Sequence, residues 1–346
     1  MNKNILIIGG TGLIGKTILR ILKSRNPNYH LFVGSRKSGN NPNDMVIDVT
    51  NSKTFKAILD NKIDLIVLCT KDSGNEILRF AIENQLDYID ITKPTPDLTV
   101  AYDLAKENKE YIKSHIVFSS GWMGGIVGSL VGFVAPDKRN IIEANLYIYY
   151  SVKDLAGKSS ADFLAKNVCK PFFVYKDNKP QKVKHFLDSE KFNFSFGIGK
   201  RQVYNLDVPE LFIFNQIEKI PTVSSKMTYN SKFITRIMGY LQSFRIFNIM
   251  ILKERQWLFG ASGKGDQTVF EISIKTKDKT KDKTRKVSLQ SMRGQAELTA
   301  FSTVLHIEKM LELTLDSGIY FSHQMHLPQE IYDALNNNDS INIKIS

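Results

Sequence analysis

Cysteine and tryptophan are scarce in this chain, which has two residues of each among its 346. The two cysteines, Cys69 and Cys169, cannot build a disulfide framework, which excludes the class of small disulfide-stapled secreted proteins. An apolar run begins within five residues of the start, which leaves no room for a secretory signal peptide. We therefore expect a protein of the reducing cytoplasm.

Acidic residues are outnumbered: 35 Asp and Glu stand against 47 Lys and Arg, a formal net charge of +12. Such an excess attracts anionic cofactors, phospholipid surfaces and nucleic acid alike. We expect an anionic cofactor and a small-molecule substrate rather than nucleic acid. Metal-ligand spacing is absent too, because the histidines are scattered and His323 and His326 have no acidic or cysteine partner nearby in sequence. We expect no metal site.

Two apolar segments are long enough to be weighed as membrane spans, and we predict that neither is one. Residues 116–135 carry no charge, but their five glycines suit a strand, a loop and the start of a helix. Residues 233–252 contain Arg236 and Arg245, and charges in the middle of a span are costly. We predict an amphipathic helix there that forms a subunit or domain interface, as in a homodimer, with contact to a membrane surface as the alternative. Its apolar stripe consists of Phe233, Ile237, Leu241, Phe244, Phe247 and Ile251.

The most informative stretch follows the apolar run at residues 5–8. It contains Gly-x-Gly-x-x-Gly between a predicted strand and a predicted helix at residues 13–23. In that context the glycines allow a tight turn, close approach of the backbone to a pyrophosphate, and close helix–sheet contact, while the helix N-terminus faces the phosphates. We predict dinucleotide binding; a turn with incidental glycines is the alternative. The predicted contacts are Gly10, Thr11, Gly12, Leu13, Ile14 and Gly15.

The first 120 residues alternate between strand and helix patterns, as βαβ units do. The apolar run at residues 64–69 is typical of a central parallel strand that is buried on both faces. Beyond residue 140, polar and apolar residues alternate, beginning at residues 143–151, which favours a mostly antiparallel sheet. The charged repeat at residues 275–285 predicts a solvated hairpin tip, with a phosphate-binding arm as the alternative. We therefore predict an α/β protein, a Rossmann doubly wound parallel sheet with an inserted α+β domain of mostly antiparallel sheet.

These patterns predict three parts along the chain. Residues 1–130 form the Rossmann dinucleotide-binding domain, and residues 131–293 form an α+β domain for substrate binding or dimerisation. Residues 294–346, which begin with a long helical pattern, return to the Rossmann domain.

An NAD site usually has an acidic residue after the second strand, about twenty residues beyond the glycines, to bind the ribose hydroxyls. Here that place holds Ser35, Arg36 and Lys37. A hydroxyl followed by two cations suits a 2′-phosphate, so we predict NADP in preference to NAD. A basic surface turn is the alternative. Further predicted cofactor contacts at strand ends are Asp48, Val49, Cys69 and Thr70, with Cys69 expected to be a packing residue rather than a nucleophile.

With these residues in view, the chain resembles the saccharopine dehydrogenase-like oxidoreductases. The resemblance is carried by the glycine pattern, by residues 64–69 and 81–90, by the turn Ser-Gly-Trp-Met-Gly-Gly at residues 120–125, and by the tail from Gly294 onward. It implies a Rossmann domain, an inserted α+β domain and a nicotinamide cofactor, often NADP.

Candidate catalytic residues are few. Asp90 ends a predicted strand at the ligand-binding edge, where it would orient the nicotinamide or the substrate, with a structural hydrogen bond as the alternative. Trp122 would form an apolar wall beside the nicotinamide, or pack in the core. Lys200, Arg201 and Tyr204 follow a Gly-Ile-Gly turn and would clamp an anionic substrate.

A competing interpretation begins with the same glycine pattern, which is also common in extended short-chain dehydrogenases. Their catalytic pair is Tyr-x-x-x-Lys on a helix, and Tyr149 and Lys153 have that spacing. The surrounding alternation predicts a strand instead, in which positions four apart do not meet as they do on a helix.

Taken together, the residues predict an NADP-dependent oxidoreductase that reduces an imine, carbonyl or activated double bond of a small molecule. Two alternatives remain: a non-catalytic NADP-binding redox sensor or partner subunit, and the extended short-chain dehydrogenase.

Overall fold

The computed structural model describes residues 3–37, 39–91, 93–155, 157–260, 263, 265–278, 282–312 and 315–346. The chain forms two compact units. The first comprises Met1–Ile126 and Ala296–His326, and the second comprises Val127–Gln295 and Leu327–Ser346.

Strands and helices alternate early in the chain and strands dominate its middle. The described strands are β1 (Asn4–Ile8), β2 (His30–Ser35), β3 (Asp44–Val46), β4 (Leu65–Leu68), β5 (Asp87–Asp90), β6 (His115–Phe118), β7 (Ile141–Tyr150), β8 (Pro171–Lys176), β9 (Lys179–Lys184), β10 (Glu190–Phe194), β11 (Gly199–Asn205), β12 (Thr222–Tyr229), β13 (Thr268–Thr276), β14 (Lys283–Ser291), β15 (Gly318–Phe321) and β16 (Ile341–Ile345). The described α-helices are α1 (Leu13–Arg25), α2 (Lys56–Asp60), α3 (Glu76–Glu83), α4 (Thr95–Glu107), α5 (Val127–Val134), α6 (Lys158–Asn167), α7 (Pro209–Phe212), α8 (Lys232–Ser243), α9 (Ile246–Ile249), α10 (Leu252–Phe259), α11 (Gly294–Leu311) and α12 (Pro328–Asn336).

The sheet of the first unit is parallel throughout, in the order β15-β6-β5-β4-β1-β2-β3. The chain builds outward from β1 to β3 on one side and from β4 to β6 on the other, so the order reverses at β1. The predicted doubly wound Rossmann sheet is confirmed. Because all strands run the same way, their carboxyl ends share one edge, and ligands bind such sheets at that edge near the reversal point.

The centre of this sheet is built from the most apolar segments of the chain. Residues Ile5 to Ile8 of β1 and all of β4 are almost completely buried, and the two strands pair with Ile5 opposite Leu65. Side chains on both faces are covered, as continuous apolar runs in parallel sheets require.

The second unit contains a sheet in the order β10-β11-β12-β7-β13-β14-β16, with the β8–β9 hairpin attached to β12. Only the β12–β7 pair is parallel among its described strands. The predicted mostly antiparallel sheet is confirmed. The predicted hairpin at residues 275–285 is present, since Thr276 pairs with Lys283, while residues 279–281 at its tip lie outside the described residues.

The tail returns to the first unit only in part, which corrects the predicted extent of residues 294–346. Strand β15 extends the parallel sheet beside β6, but β16 pairs with β14 in the second unit. Phe133 of α5 and Tyr332 of α12 are stacked with ring centroids 4.2 Å apart. The last twenty residues therefore belong to the second unit, where β16 extends the sheet beside β14 and α12 packs on α5.

The single helix predicted at residues 233–252 is wrong. Helix α8 ends at Ser243, Arg245 adopts a left-handed conformation with φ of 57°, and α9 and α10 follow as separate helices. The break lets Phe247 turn inward, where it is fully buried against the rings of Phe186 and Phe259. In the described parts of the chain, no helix is both long and apolar enough to cross a membrane.

Candidate dinucleotide-binding site

The glycine loop makes a tight turn at the carboxyl end of β1. Gly9 has φ of 83°, a conformation that favours glycine, and its N–H donates to the Gly34 carbonyl at 2.8 Å. The Gly10 N–H donates to the Ile7 carbonyl at 3.1 Å, and the Gly12 N–H donates to the Gly9 carbonyl at 2.9 Å. Through this turn the backbone passes from β1 directly into α1.

Two of the motif glycines are required by packing inside the protein. A Cβ on Gly15 would lie 2.5 Å from the Gly9 carbonyl oxygen, and one on Gly10 would lie 2.9 Å from the Ile7 carbonyl oxygen. Gly12 differs, because a Cβ there would meet only the Gly9 oxygen, at 3.2 Å, and the residue is exposed. Internal packing therefore explains Gly10 and Gly15, whereas Gly12 keeps an open surface clear.

The N-terminus of α1 presents backbone donors at that open surface. The first helical hydrogen bond runs from the Lys16 N–H to the Gly12 carbonyl, so the amides of Leu13, Ile14 and Gly15 precede the helical ladder. Gly12 has no side chain to cap them, and the first turn carries no carboxylate. Amides and helix dipole together favour an anion such as a phosphate.

The end of β2 carries the predicted phosphate-binding cations. Arg36 and Lys37 are exposed, and the Ser35 hydroxyl donates to the Lys37 carbonyl at 2.6 Å. The hydroxyl thus shapes the turn that presents the two cations. No carboxylate stands at the end of β2, where an NAD site usually has one.

Asp48 lies after β3, near Arg36. Its pKa is lowered, first by the Thr50 N–H and hydroxyl, which donate to Oδ1 at 3.0 and 2.8 Å, and then by the charge of Arg36. One of the two carboxylate oxygens of Asp48 therefore accepts hydrogen bonds within a local turn. The predicted contact of Asp48 and Val49 with an adenine stays a prediction.

The end of β4 lies against the glycine loop. The Cys69 N–H donates to the Ile8 carbonyl at 2.8 Å, and a Cβ on Gly9 would lie 3.1 Å from the Cys69 carbonyl and from Thr70 Cβ. Burial raises the pKa of the Cys69 thiol far above its ordinary value, which disfavours the nucleophilic thiolate. Thr70 is exposed beside it. The packing role expected for Cys69 agrees with this environment.

Asp90 fastens the turn that follows β6. Its carboxylate Oδ1 accepts the Ser119 N–H at 2.8 Å, and its carbonyl accepts the Ser120 N–H at 2.9 Å and the Ser120 hydroxyl at 2.6 Å. The side chain is 2% exposed, and burial raises its pKa in spite of Lys93, whose Nζ lies 3.8 Å from Oδ2. These contacts favour the structural interpretation of Asp90.

We predict that Asp90→Ala lowers the free energy of unfolding by about 3 kcal/mol, because it leaves the Ser119 N–H without its buried acceptor and the Lys93 charge without its buried partner. Asp90→Asn should cost about 1 kcal/mol, since its amide oxygen still accepts from Ser119. Urea unfolding measures both values. If both variants lost the same free energy of unfolding, the charge of Asp90, rather than its hydrogen bond with Ser119, would be the source of its contribution to stability.

Trp122 is 3% exposed in the turn after β6. Because the Trp122 side chain has so little exposed surface, it fits the packing interpretation better than the predicted apolar wall beside a nicotinamide.

Side chains from the tail also form hydrogen bonds with the turn after β6, and the sequence did not predict these contacts. The hydroxyls of Ser322 and Ser302 donate to the carbonyls of Ser119 and Gly121 at 2.6 and 3.1 Å. Thr303 Oγ1 lies 3.2 Å from Ser120 Oγ. The only sequence signal was the polar pair at residues 302–303, which is flanked by Phe301 and Val304 in α11.

The residues of the predicted anion clamp lie on one strand of the second unit. Lys200, Arg201 and Tyr204 lie on β11, where successive side chains point to opposite faces. Arg201 lies over the Tyr149 ring at 5.8 Å, whereas the Tyr204 ring abuts Gly239 of α8 on the other face. Alternation along β11 therefore places Arg201 on the face opposite Lys200 and Tyr204, and the anion clamp stays a prediction.

Tyr149 belongs to the ten-residue strand β7, and Lys153 follows it outside any helix. The predicted strand is confirmed, and the pair does not have the helical arrangement that a short-chain dehydrogenase needs. Among the described residues, no group of three or more His, Cys, Asp or Glu side chains is placed to hold a metal ion.

Comparisons with known proteins agree with this architecture. Residues 5–92, which include the glycine loop, match the NAD dependent epimerase/dehydratase family. Apo saccharopine dehydrogenase (L-Glu forming) from Saccharomyces cerevisiae superposes with a TM-score of 0.70 over 100% of this chain and 99% of its own, at 12% identity. This chain has the saccharopine dehydrogenase fold. The resemblance seen in the sequence is confirmed at that level.

Two further solved structures share the fold more loosely, each with a TM-score of 0.51 over 98% of this chain. DAP dehydrogenase of C. glutamicum in complex with DAP is 13% identical, over 99% of its chain. An engineered D-amino acid dehydrogenase bound to NADP+ is 12% identical, over 100% of its chain. No curated protein sequence matches the chain.

Proposed function

We propose that this chain is an NADP-dependent oxidoreductase of the cytoplasm that reduces an imine, carbonyl or activated double bond of a small molecule. The observation that carries the proposal is the carboxyl edge of the parallel sheet. There an open Gly12, the amides at the start of α1 and the exposed Arg36 and Lys37 face a common ligand-binding edge. The dehydrogenases that share the fold, including one bound to NADP+, support it.

Each part of the cofactor has a proposed set of contacts in the first unit. The amides of Leu13 and Ile14 and the open surface at Thr11 and Gly12 would bind the pyrophosphate. Arg36 and Lys37 would bind the 2′-phosphate, because a guanidinium pairs with phosphate oxygens through two hydrogen bonds. When bound, the cofactor supplies the hydride for the reduction.

The nicotinamide end is proposed to lie near the ends of β4 and β6. Thr70 is exposed at the end of β4, and Asp90 holds the neighbouring turn in place through Ser119. In this proposal Asp90 positions backbone and does not transfer a proton.

The first test is calorimetric titration of the full chain with NADPH and with NADH at moderate salt. We expect NADPH to bind at least ten times more tightly than NADH, about 1.4 kcal/mol in binding free energy. Binding of neither nucleotide would mean that the glycines serve only the turn, and the proposal would fail.

A redox sensor is the second candidate, and the state of the titratable groups favours it. At the carboxyl edge, Asp90 is bonded to Ser119 and the Cys69 thiol is kept protonated by burial. A sensor would bind NADPH without consuming it, whereas an enzyme oxidises NADPH when an acceptor is present. A screen of 2-oxo acids with ammonia, aldehydes and enones, followed at the NADPH absorbance, separates the two.

A further inference from the structure

Large apolar side chains are exposed together in one segment of the second unit. Their exposed fractions run from 60% for Ile251 to 82% for Ile249 and Trp257. We call them the 233–257 patch, which consists of Phe233, Tyr240, Phe244, Ile249, Ile251 and Trp257. Six such side chains within residues 233–257 indicate an interaction site rather than ordinary scatter.

The backbone that carries the patch is anchored from below. On α8, Thr235, Met238 and Gln242 are buried on the inner face, and the Gln242 amide donates to the Val168 carbonyl at 2.8 Å. Phe233 and Tyr240, seven residues apart, are on the opposite, outer face. The inner contacts therefore hold the apolar side chains outward.

Farther along, the buried Phe247 and Phe259 anchor α9 and α10 in the same way. Their rings lie 5.7 Å apart, and both pack on Phe186. Between these two anchors, Ile249, Ile251 and Trp257 remain in water. The exposed side chains thus alternate with anchoring ones along the whole segment.

The charges around the patch have nearly one sign. The exposed cations of residues 232–259 are Lys232, Arg236, Arg245 and Lys253, and the acidic residue of this segment is Glu254. Arg255 is half-buried and donates to Cys169 Sγ at 3.3 Å. From outside the segment, Asp162 accepts from Gln256 of α10 at 2.6 Å, and its charge is paired with Lys166. The Glu254 carboxylate accepts the Ile251 N–H at 3.0 Å and so caps α10. The patch is an apolar and aromatic surface with a basic surround.

The basic charge around the 233–257 patch distinguishes between two candidate binding partners, a second copy of this chain and an anionic membrane. In a symmetric dimer the same face meets itself, so each basic group would meet basic groups of the second copy. An anionic membrane surface offers the complementary charge, and aromatic side chains settle at the headgroup level. We propose that the 233–257 patch docks this protein onto an anionic phospholipid surface, with its side chains inserted at the interface and no segment crossing it.

The test is co-sedimentation of the full chain with two sets of vesicles, phosphatidylcholine alone and phosphatidylcholine mixed with phosphatidylglycerol. We expect binding to the anionic vesicles that weakens as salt is raised, and little binding to the neutral ones. Trp257 reports insertion directly, because the other tryptophan, Trp122, is buried. Its emission should shift to the blue and be quenched by brominated lipids.

The variants Phe244→Ser and Ile249→Ser should each reduce the partition coefficient about tenfold, because each removes one inserted apolar side chain. Tyr111→Ser is the matched control, since Tyr111 is 70% exposed in the first unit, outside the patch, and should leave vesicle binding unchanged. Unchanged circular dichroism spectra and thermal unfolding curves show that the variants remain folded.

Failure of the unaltered chain to bind anionic vesicles would overturn the proposal. If, in addition, the chain is dimeric by light scattering and Phe244→Ser makes it monomeric, the patch is a subunit interface between two copies. Equal loss of vesicle binding in Tyr111→Ser would mean that adsorption is nonspecific, and this too would overturn the proposal.

Discussion

Arg36→Asp is expected to weaken NADPH binding about a hundredfold, because it removes two charge-assisted hydrogen bonds to the 2′-phosphate and replaces them by repulsion. NADH lacks that phosphate, and a carboxylate at this place can accept from its ribose hydroxyls. Its affinity should therefore stay the same or rise. Calorimetric titration of the variant with both nucleotides measures the change in preference.

The matched control is Lys113→Asp, which makes the same change of charge at an exposed position two residues before β6. That position is at the amino edge of the sheet, opposite the carboxyl edge. A general loss of positive potential would weaken NADPH binding in both variants alike. If Arg36→Asp left the preference between NADPH and NADH unchanged, the assignment of the phosphate site would be wrong.

Gly12→Ser and Gly15→Ala should separate the two tasks of the glycine loop. Gly12 has φ of −78° and ψ of 174° at the N-cap of α1, a conformation that serine adopts readily and in which its hydroxyl caps the helix. We expect unchanged or slightly higher stability. Dinucleotide affinity should nevertheless fall about a hundredfold, because the side chain fills the open surface and its oxygen takes an amide that the pyrophosphate needs.

Gly15→Ala is expected to act mainly on stability rather than on dinucleotide affinity. Its Cβ would lie 2.5 Å from the Gly9 carbonyl oxygen and 2.6 Å from Gly10 Cα, so α1 must move away from β1. Such overpacking costs about 1–3 kcal/mol in the free energy of unfolding. Denaturant unfolding and calorimetry together test the contrast. If the Gly12→Ser variant bound NADPH as tightly as the unaltered chain, the phosphates would not approach Gly12. If the Gly15→Ala variant were as stable as the unaltered chain, the packing explanation for Gly15 would be wrong.

The sequence predicted the first unit well because its signals are local. The apolar runs that became β1 and β4, the helix signals between strands and the spacing of Gly10, Gly12 and Gly15 each depend on residues within one turn or strand. The absence of a carboxylate at the end of β2 is likewise visible without a structure. The alternation around Tyr149 was sufficient to predict a strand.

Predictions that depended on distant partners were less successful. The stripe from Phe233 onward looked like one helix, but Phe247 packs on Phe186, 61 residues earlier, and the helix breaks to allow it. The tail looked like one return to the nucleotide-binding unit, but β16 pairs with β14 instead. Arg201 and Tyr204 are close in sequence, and only the strand assignment separates them onto two faces.

The sequence by itself determined the doubly wound sheet, the glycine loop and the cations at the end of β2, because periodicity, backbone freedom and charge are properties of neighbouring residues. Tertiary structure alone decided how the turn after β6 is held. Asp90, Ser302 and Ser322 come from a strand, a helix and a tail segment, and each bonds to that turn across at least 29 positions. Such hydrogen bonds exist only after the elements have packed, since no local pattern specifies which buried donor will meet which carbonyl.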